Sequence, residues 1–141
     1  YGIDPGRIAI WGESAGAFAA LAAGLTDARE FRDDGNNLPA PPENNPGVDP
    51  KPAVIIDCWG SSVFTNDAFD ADDPPIMIFH GKSDSTISYL FALNLKAKCD
   101  EVGIPCRSYL IPDGEHGCWD CTFQGRTLTA VTLDFLAEFM P

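Results

Sequence analysis

Basic residues are scarce in this chain of 141 residues, which carries 9 Lys and Arg against 21 Asp and Glu for a formal net charge of −12. Binding to nucleic acid depends on basic patches that neutralise phosphates, so this composition argues against a nucleic-acid partner. Long apolar runs are also lacking. None approaches the roughly 20 residues of a membrane-spanning helix, so we expect no membrane span. An apolar share of 45% is nevertheless enough for a packed core.

The chain has neither an initiator methionine nor a leader-like segment at its start, where Tyr1-Gly2-Ile3 runs almost at once into a strand of interior character. Its length is that of one domain. A strand of interior character so near the start is not typical of a natural N-terminus. The compartment is left open, with a secreted or periplasmic origin among the options.

The cysteines are five, an odd number that excludes a complete set of internal disulfides. Cys99 and Cys106, at a predicted helix end and the next strand start, are placed to bridge, with buried free thiols as the equal alternative. Cys118 and Cys121 form a single CxxC beside His116. One such pair falls short of the four ligands of a closed zinc site, so the sequence predicts no metal and no cofactor. A redox or metal role is the minor alternative.

Short apolar, β-branched runs alternate with helical patterns along the chain. The strands are predicted at 7–11, 53–59, 75–80 and 107–111, and the helices at 15–25, 85–102 and 125–140. This order predicts an α/β fold with a mostly parallel sheet of about four strands and flanking helices. The Pro/Asn-rich stretch 33–52 breaks the pattern and is predicted to be a surface excursion.

A serine lies between the first predicted strand and the first predicted helix, in Gly12-Glu13-Ser14-Ala15-Gly16. A GxSxG in this context is typical of a sharp strand–turn–helix that holds a serine hydroxyl in open space. The glycines would avoid a Cβ clash where the turn closes. The structural alternative is that Ser14 is an ordinary helix N-cap in an inert turn. Glu13 is interpreted as a residue that orients the turn rather than as an acid.

A serine nucleophile needs a base, and the base needs a third group to orient it. Only two histidines are present, and in the order serine, acid, histidine only His116 follows both other groups. Asp84 lies just beyond a predicted strand, from which its carboxylate can reach a histidine loop on the neighbouring strand. Asp113 and Glu115 are weaker alternatives because they are so near His116 in sequence. His80, at a strand end, is interpreted as structural.

Three stretches in order, YGIDPGRIAIWGESAG, PPIMIFHGKSD and IPDGEHG, resemble the later half of α/β-hydrolase-fold esterases, especially small carboxylesterases and acetyl or feruloyl esterase-like enzymes. The resemblance runs from Tyr1 to the final helix and weakens across 33–52. It implies a serine hydrolase that cleaves small carboxylic esters through an acyl-enzyme. Ser14 would be the nucleophile, Asp84 the acid and His116 the general base. The backbone N–H of Ala15 would form one arm of an oxyanion hole.

The HGGG-like motif that supplies a second oxyanion donor in this family is missing, as are the strands that precede the serine turn. The resemblance therefore implies that residues 1–141 are the C-terminal portion of a single α/β-hydrolase domain whose N-terminal portion is absent from this sequence. The strand that bears Ser14 is central in the family, so we expect it to be a bare edge here. The expected partner is the missing N-terminal half or a complementing chain, and the fragment alone is expected to be inactive or weak. The alternative functions are a prolyl oligopeptidase-type peptidase domain and a non-catalytic binding module of the same fold.

Overall fold

A four-stranded parallel sheet is the centre of the computed structural model, which describes residues 2–26, 51–65 and 68–141. The strands follow one another in space as they do in sequence: β1 (Ala9–Glu13), β2 (Val54–Cys58), β3 (Ile76–Gly81) and β4 (Cys106–Ile111). The predicted fold class, an α/β arrangement of about four mostly parallel strands, is confirmed.

Helices cover both faces of this sheet. Helices α1 (Ala15–Leu25) and α2 (Leu90–Val102) pack on one face, and α3 (Leu128–Phe139) packs on the other. Every residue of β2 and β3 is buried, which explains why these two segments are nearly continuous in apolar residues rather than alternating. No helix in the described ranges is long and apolar enough to cross a membrane.

Among the residues that the structure describes, strand β1 lies at one edge of the sheet and pairs only with β2. Its exposed side chains include Trp11, which is 44% exposed, and Ile8 just before it is 48% exposed. A parallel sheet normally buries its strands on both faces. The strand that leads into Ser14 therefore presents an unpaired and partly apolar edge, as the sequence predicts.

Helix α2 begins at Leu90, so the predicted start at Ser85 is wrong. The backbone N–H groups of Thr86 and Ile87 donate to Oδ1 of Asp84, and the Ile87 carbonyl accepts from His80. These groups are thus committed to a turn and are not free for helical hydrogen bonds. The predicted stop at Gly103 is confirmed, since this residue caps the helix at φ +94°.

A small hairpin precedes α3 and was not predicted. Strands β5 (Thr122–Phe123) and β6 (Arg126–Thr127) are antiparallel around Gln124 and Gly125, both at positive φ. Strands of two residues are too short to show a hydrophobic period. The predicted helix start at 125 is therefore wrong, and α3 begins at Leu128, where Oγ1 of Thr127 accepts from the N–H of Ala130.

All five cysteines are free thiols. The proposed bridge between Cys99 and Cys106 is not formed, but these two side chains are hydrogen-bonded to each other, and this contact together with burial raises the pKa of Cys106. Except for its last two residues, the stretch 33–52 lies outside the described residues, so its assignment as a surface excursion stays a prediction.

Candidate active site

The residues singled out by the sequence lie at the carboxyl edge of the sheet. Ser14 directly follows β1, Asp84 follows the end of β3, and His116 lies in the loop after β4. Because the strands are parallel, their carboxyl ends share one edge, where α/β proteins commonly bind ligands. Residues far apart in the chain therefore meet here.

Ser14 occupies a strained turn between β1 and α1, with φ 48° and ψ −121°. It stands at the N-cap position, but its side chain makes no capping hydrogen bond, and its N–H donates to the Cys58 carbonyl at 3.0 Å. A β-carbon on Gly12 would lie 2.0 Å from the Gly16 carbonyl oxygen, whereas one on Gly16 would meet nothing within 4 Å. The expected steric need for glycine is therefore correct for Gly12 and wrong for Gly16.

A chain of two hydrogen bonds links Ser14, His116 and Asp84. Oγ of Ser14 is 2.9 Å from Nε2 of His116, and Nδ1 of His116 is 2.8 Å from Oδ2 of Asp84. A carboxylate can only accept, so Nδ1 carries the hydrogen and Nε2 of the neutral ring accepts from the serine hydroxyl. The side chain of Asp84 is fully buried and that of His116 is 24% exposed.

Hydrogen bonds to its second carboxylate oxygen, Oδ1, favour the charged form of Asp84. Oδ1 accepts the backbone N–H groups of Thr86 and Ile87, each at 2.8 Å. Burial acts to raise the pKa of Asp84, but the N–H groups and His116 lower it more, so the pKa lies below its ordinary value. Asp113 and Glu115, the alternative acids, are both exposed, and the carboxylate at Nδ1 is that of Asp84.

Backbone contacts lock the two loops that carry Asp84 and His116. The N–H of Ser83 donates to the Gly114 carbonyl at 2.9 Å, and that of Lys82 donates to the Ile111 carbonyl at 2.8 Å. A β-carbon on Gly81 would lie 2.1 Å from the Gly114 carbonyl oxygen. Glycine at position 81 therefore permits the close approach that brings the acid to the histidine.

Trp59, directly after β2, packs beside the histidine. It is buried, adopts φ +42°, and its ring meets that of His116 edge-on with centroids 6.4 Å apart. On another side it contacts Trp119 at 4.9 Å, and Trp119 contacts Trp11 of β1 at 6.3 Å. The sequence signal for this contact is a tryptophan at the end of a buried strand, which by itself does not indicate a role.

An apolar cleft of about 350 Å³ opens beside the serine hydroxyl. It is lined by Ser14, Ala15, Phe18, Phe64 and Ile87, with the two phenylalanine rings 5.6 Å apart. Ala15 is the first residue of α1, so its backbone N–H has no acceptor within the helix. This N–H and the positive end of the helix dipole can stabilise negative charge that develops next to Ser14.

Of the two thiols in the CxxC after His116, that of Cys118 is buried and that of Cys121 is partly exposed. Burial and a hydrogen bond with Cys121 raise the pKa of Cys118 to about 12, so its reactive thiolate form is disfavoured. Within residues 2–26, 51–65 and 68–141, no three His, Cys, Asp or Glu side chains form a group that could hold a metal ion.

The strand order, the helices on both faces and the loops at the carboxyl edge are those of the α/β-hydrolase fold. A solved acetyl ester-xyloside bifunctional hydrolase from Caldicellulosiruptor lactoaceticus is similar, with 18% identity and a TM-score of 0.74 over 96% of this chain and 58% of that one. A truncated carbohydrate esterase from gut microbiota has 22% identity and a TM-score of 0.72 over 98% of this chain and 61% of its own.

The butyrate-bound esterase Est2 of Thermogutta terrifontis has 20% identity and a TM-score of 0.74 over 97% of this chain and 58% of its own. The chain thus spans 58 to 61% of the length of these three structures. Likeness at such identities establishes the fold alone. The sequence matches no protein-family model and no curated protein.

Proposed function

We propose that this chain carries the catalytic centre of a serine esterase that cleaves small carboxylic esters, with Ser14 as nucleophile, His116 as general base and Asp84 as the acid. The observation that carries the proposal is the pair of hydrogen bonds, 2.9 and 2.8 Å long, that joins these residues from three different strand ends. This arrangement can activate a serine hydroxyl, which is a weak nucleophile without a base.

In the proposed reaction, Oγ of Ser14 attacks the ester carbonyl carbon while Nε2 of His116 takes the hydroxyl proton. The oxyanion that forms accepts the N–H of Ala15, and the buried carboxylate of Asp84 stabilises the protonated ring. As the C–O bond to the alcohol breaks, His116 returns the proton to the leaving oxygen. Water activated by the same nitrogen then hydrolyses the acyl-serine and releases the acid.

The cleft and the surface charge favour a small, uncharged ester. The walls beside Ser14 are mainly the side chains of Phe18, Phe64 and Ile87, which suit an apolar acyl or alcohol group. A net charge of −12 repels anionic substrates. Two similar solved structures are named as an acetyl ester-xyloside bifunctional hydrolase and as an esterase with bound butyrate, which supports short acyl groups.

The proposal includes an N-terminal half of the fold, in the same polypeptide or in a complementing chain. One edge of β1 has no partner strand among the described residues, and Trp11 on this strand is partly exposed, so the edge offers a place for a further strand. A second oxyanion donor would come from that half, because Ala15 supplies only one. The isolated 141-residue chain is accordingly expected to hydrolyse esters weakly or not at all.

A fluorophosphonate probe, which reacts with activated serines, tests the nucleophile. We expect the protein to be labelled and the Ser14→Ala variant not to be. Thr129→Ala, which removes an exposed hydroxyl from α3, is the matched control and should be labelled like the parent. In a protein completed with the N-terminal half, Ser14→Ala should lower kcat on p-nitrophenyl acetate on the order of 10⁶-fold.

The other outcomes separate the alternatives. Labelling at Ser14 with faster cleavage of a peptide anilide than of the ester would favour a peptidase of the same fold. A folded protein that is not labelled even when completed would favour a non-catalytic module. Ordinary enzyme rates from the isolated chain would contradict the need for the N-terminal half.

A further inference from the structure

The second histidine, His80, lies directly behind the carboxylate of Asp84. It is the fifth residue of β3 and is fully buried, on the strand face that packs towards α1 and α2. Its Nε2 is 2.9 Å from the Ile87 carbonyl oxygen and 3.3 Å from Oδ2 of Asp84. Its Nδ1 has no hydrogen-bond partner in the described part of the chain.

These neighbours define the form of the His80 ring. A carbonyl and a carboxylate oxygen can only accept, so Nε2 carries the hydrogen and Nδ1 is bare. Burial lowers the pKa of His80 below its ordinary value, although the Ile87 carbonyl and the charge of Asp84 act against this. The titratable groups that act on it are Asp84 and His116. His80 is therefore a neutral donor, not a second base.

His80 and Asp84 hold the same short turn from two sides. The N–H of Ile87 donates to Oδ1 of Asp84 at 2.8 Å, and the carbonyl of Ile87 accepts from His80. The same Nε2–H also stands beside Oδ2 of Asp84, the oxygen that accepts from Nδ1 of His116. The turn at Ile87 thus fixes the carboxylate of Asp84. Its Oδ2 lies beside two imidazole N–H groups, those of His80 and His116.

We propose that His80 is a positioning residue for the Asp84–His116 pair: its Nε2–H holds the turn at Ile87 and places a second donor beside Oδ2 of Asp84. Its effect on catalysis rests on the proposed esterase function, whereas its effect on the hydrogen bond between Asp84 and His116 does not. Without this donor the turn would lose one of its two anchors, and Asp84 would be held less firmly against His116.

The test compares His80→Gln with His80→Asn. The amide nitrogen of glutamine extends about as far as Nε2 of histidine, whereas that of asparagine extends only as far as Nδ1. Solvent exchange of the Nδ1–H of His116, followed by NMR, reports the bond to Asp84 without any need for activity. With only two histidines in the chain, the assignment is direct. We expect exchange to be unchanged in the Gln variant and about tenfold faster or more in the Asn variant.

Activity gives a second readout. In the completed enzyme, His80→Asn should lower kcat up to about 100-fold through misplacement of the acid. His80→Gln should restore kcat. Loss of stability in the Asn variant with unchanged exchange of the Nδ1–H of His116 would mean that His80 only packs, and would overturn the proposal.

The parent protein supplies a measurement that does not depend on a variant folding. Its ring nitrogen resonances should show His80 as the neutral Nε2–H form at neutral pH, with slow exchange of that hydrogen. An Nδ1–H form at this pH would also overturn the proposal. A protected Nδ1–H of His116 that depends on His80, in a protein with no esterase activity, would support this inference while the proposed function failed.

Discussion

The backbone of Gly12 approaches that of Gly16 so closely that a β-carbon on Gly12 would stand 2.0 Å from the Gly16 carbonyl oxygen and 2.6 Å from the Ala17 nitrogen. All of these atoms are backbone atoms of a strand end and a helix start, so none can rotate away. The contact fixes how α1 leaves β1 and hence where the hydroxyl of Ser14 points. Glycine is required at position 12 for this reason, whereas the space around Gly16 is open.

Gly12→Ala should destabilise the protein by roughly 3 kcal/mol or more, because strand and helix must move apart to admit the methyl group. Gly16→Ala is the matched control. It adds the same methyl group within α1, where alanine is the better helix former, and should be neutral or stabilise by up to about 1 kcal/mol. Urea unfolding of the two variants measures the difference. Equal midpoints would contradict the steric account of the turn.

The ring of Trp59 contacts that of His116 edge-on, and we expect it to restrict the imidazole to the orientation that meets both Ser14 and Asp84. Trp59→Ala should cost about 3–5 kcal/mol of stability, because a large buried ring is lost. In the fraction that stays folded, labelling by the fluorophosphonate probe should slow, up to about 100-fold, because His116 gains freedom to leave the productive geometry.

The control for Trp59 is Phe135→Ala in α3. Phe135 is also fully buried and belongs to the same apolar cluster, but its ring contact is with Phe139 rather than with His116. It should cost a similar amount of stability and leave the labelling rate of the folded protein unchanged. Equal slowing in the two variants would show that general loss of packing, and not the contact with His116, controls the rate.

The sequence predicts the frame of the site because local signals and burial agree there. Strands β2 and β3 are continuous apolar runs, and α1 has the bounds that its alanine-rich pattern predicts. Contacts that form only in the folded chain cannot be predicted from local sequence patterns. The Ile87 carbonyl accepts from His80 rather than from a helical N–H, which sets the start of α2 and brings His80 to Asp84. Neither His80 nor Ile87 carries a local signal of this contact.

Asp57 in β2 is a buried carboxyl that the proposed reaction does not use. It is 0% exposed, and neither of its carboxyl oxygens has a hydrogen-bond partner of normal geometry among the described residues. Gly60 closes over it so tightly that a β-carbon there would lie 2.2 Å from Oδ1. Burial raises the pKa of Asp57 from 3.8 to about 7, and the N–H of Gly60 opposes this only in part. The folded protein therefore keeps a proton that the unfolded chain releases.

The consequence is a stability that falls as the pH rises. Below about pH 4 Asp57 is protonated in both states and costs nothing. Between pH 4 and 7 the unfolded chain binds fewer protons than the folded one, so the free energy of unfolding declines and then levels off above the folded pKa. The full loss is at most about 4 kcal/mol. Repulsion among the acids of this chain adds a slope of the same sign.

Asp57→Asn separates the two contributions, because it removes the titrating group and keeps its shape. The gain in unfolding free energy over the parent, measured in urea, should grow from pH 4 to pH 8 by up to about 4 kcal/mol. The buried amide changes the unfolding free energy by an amount that does not depend on pH, so it does not affect this difference in slope. Asp120→Asn, which removes an exposed charge, should leave the slope close to that of the parent. The contradicting outcome is an Asp57→Asn variant whose unfolding free energy has the same pH dependence as that of the parent. Asp57 would then titrate in the folded protein as it does in the unfolded chain, and the raised pKa would be wrong.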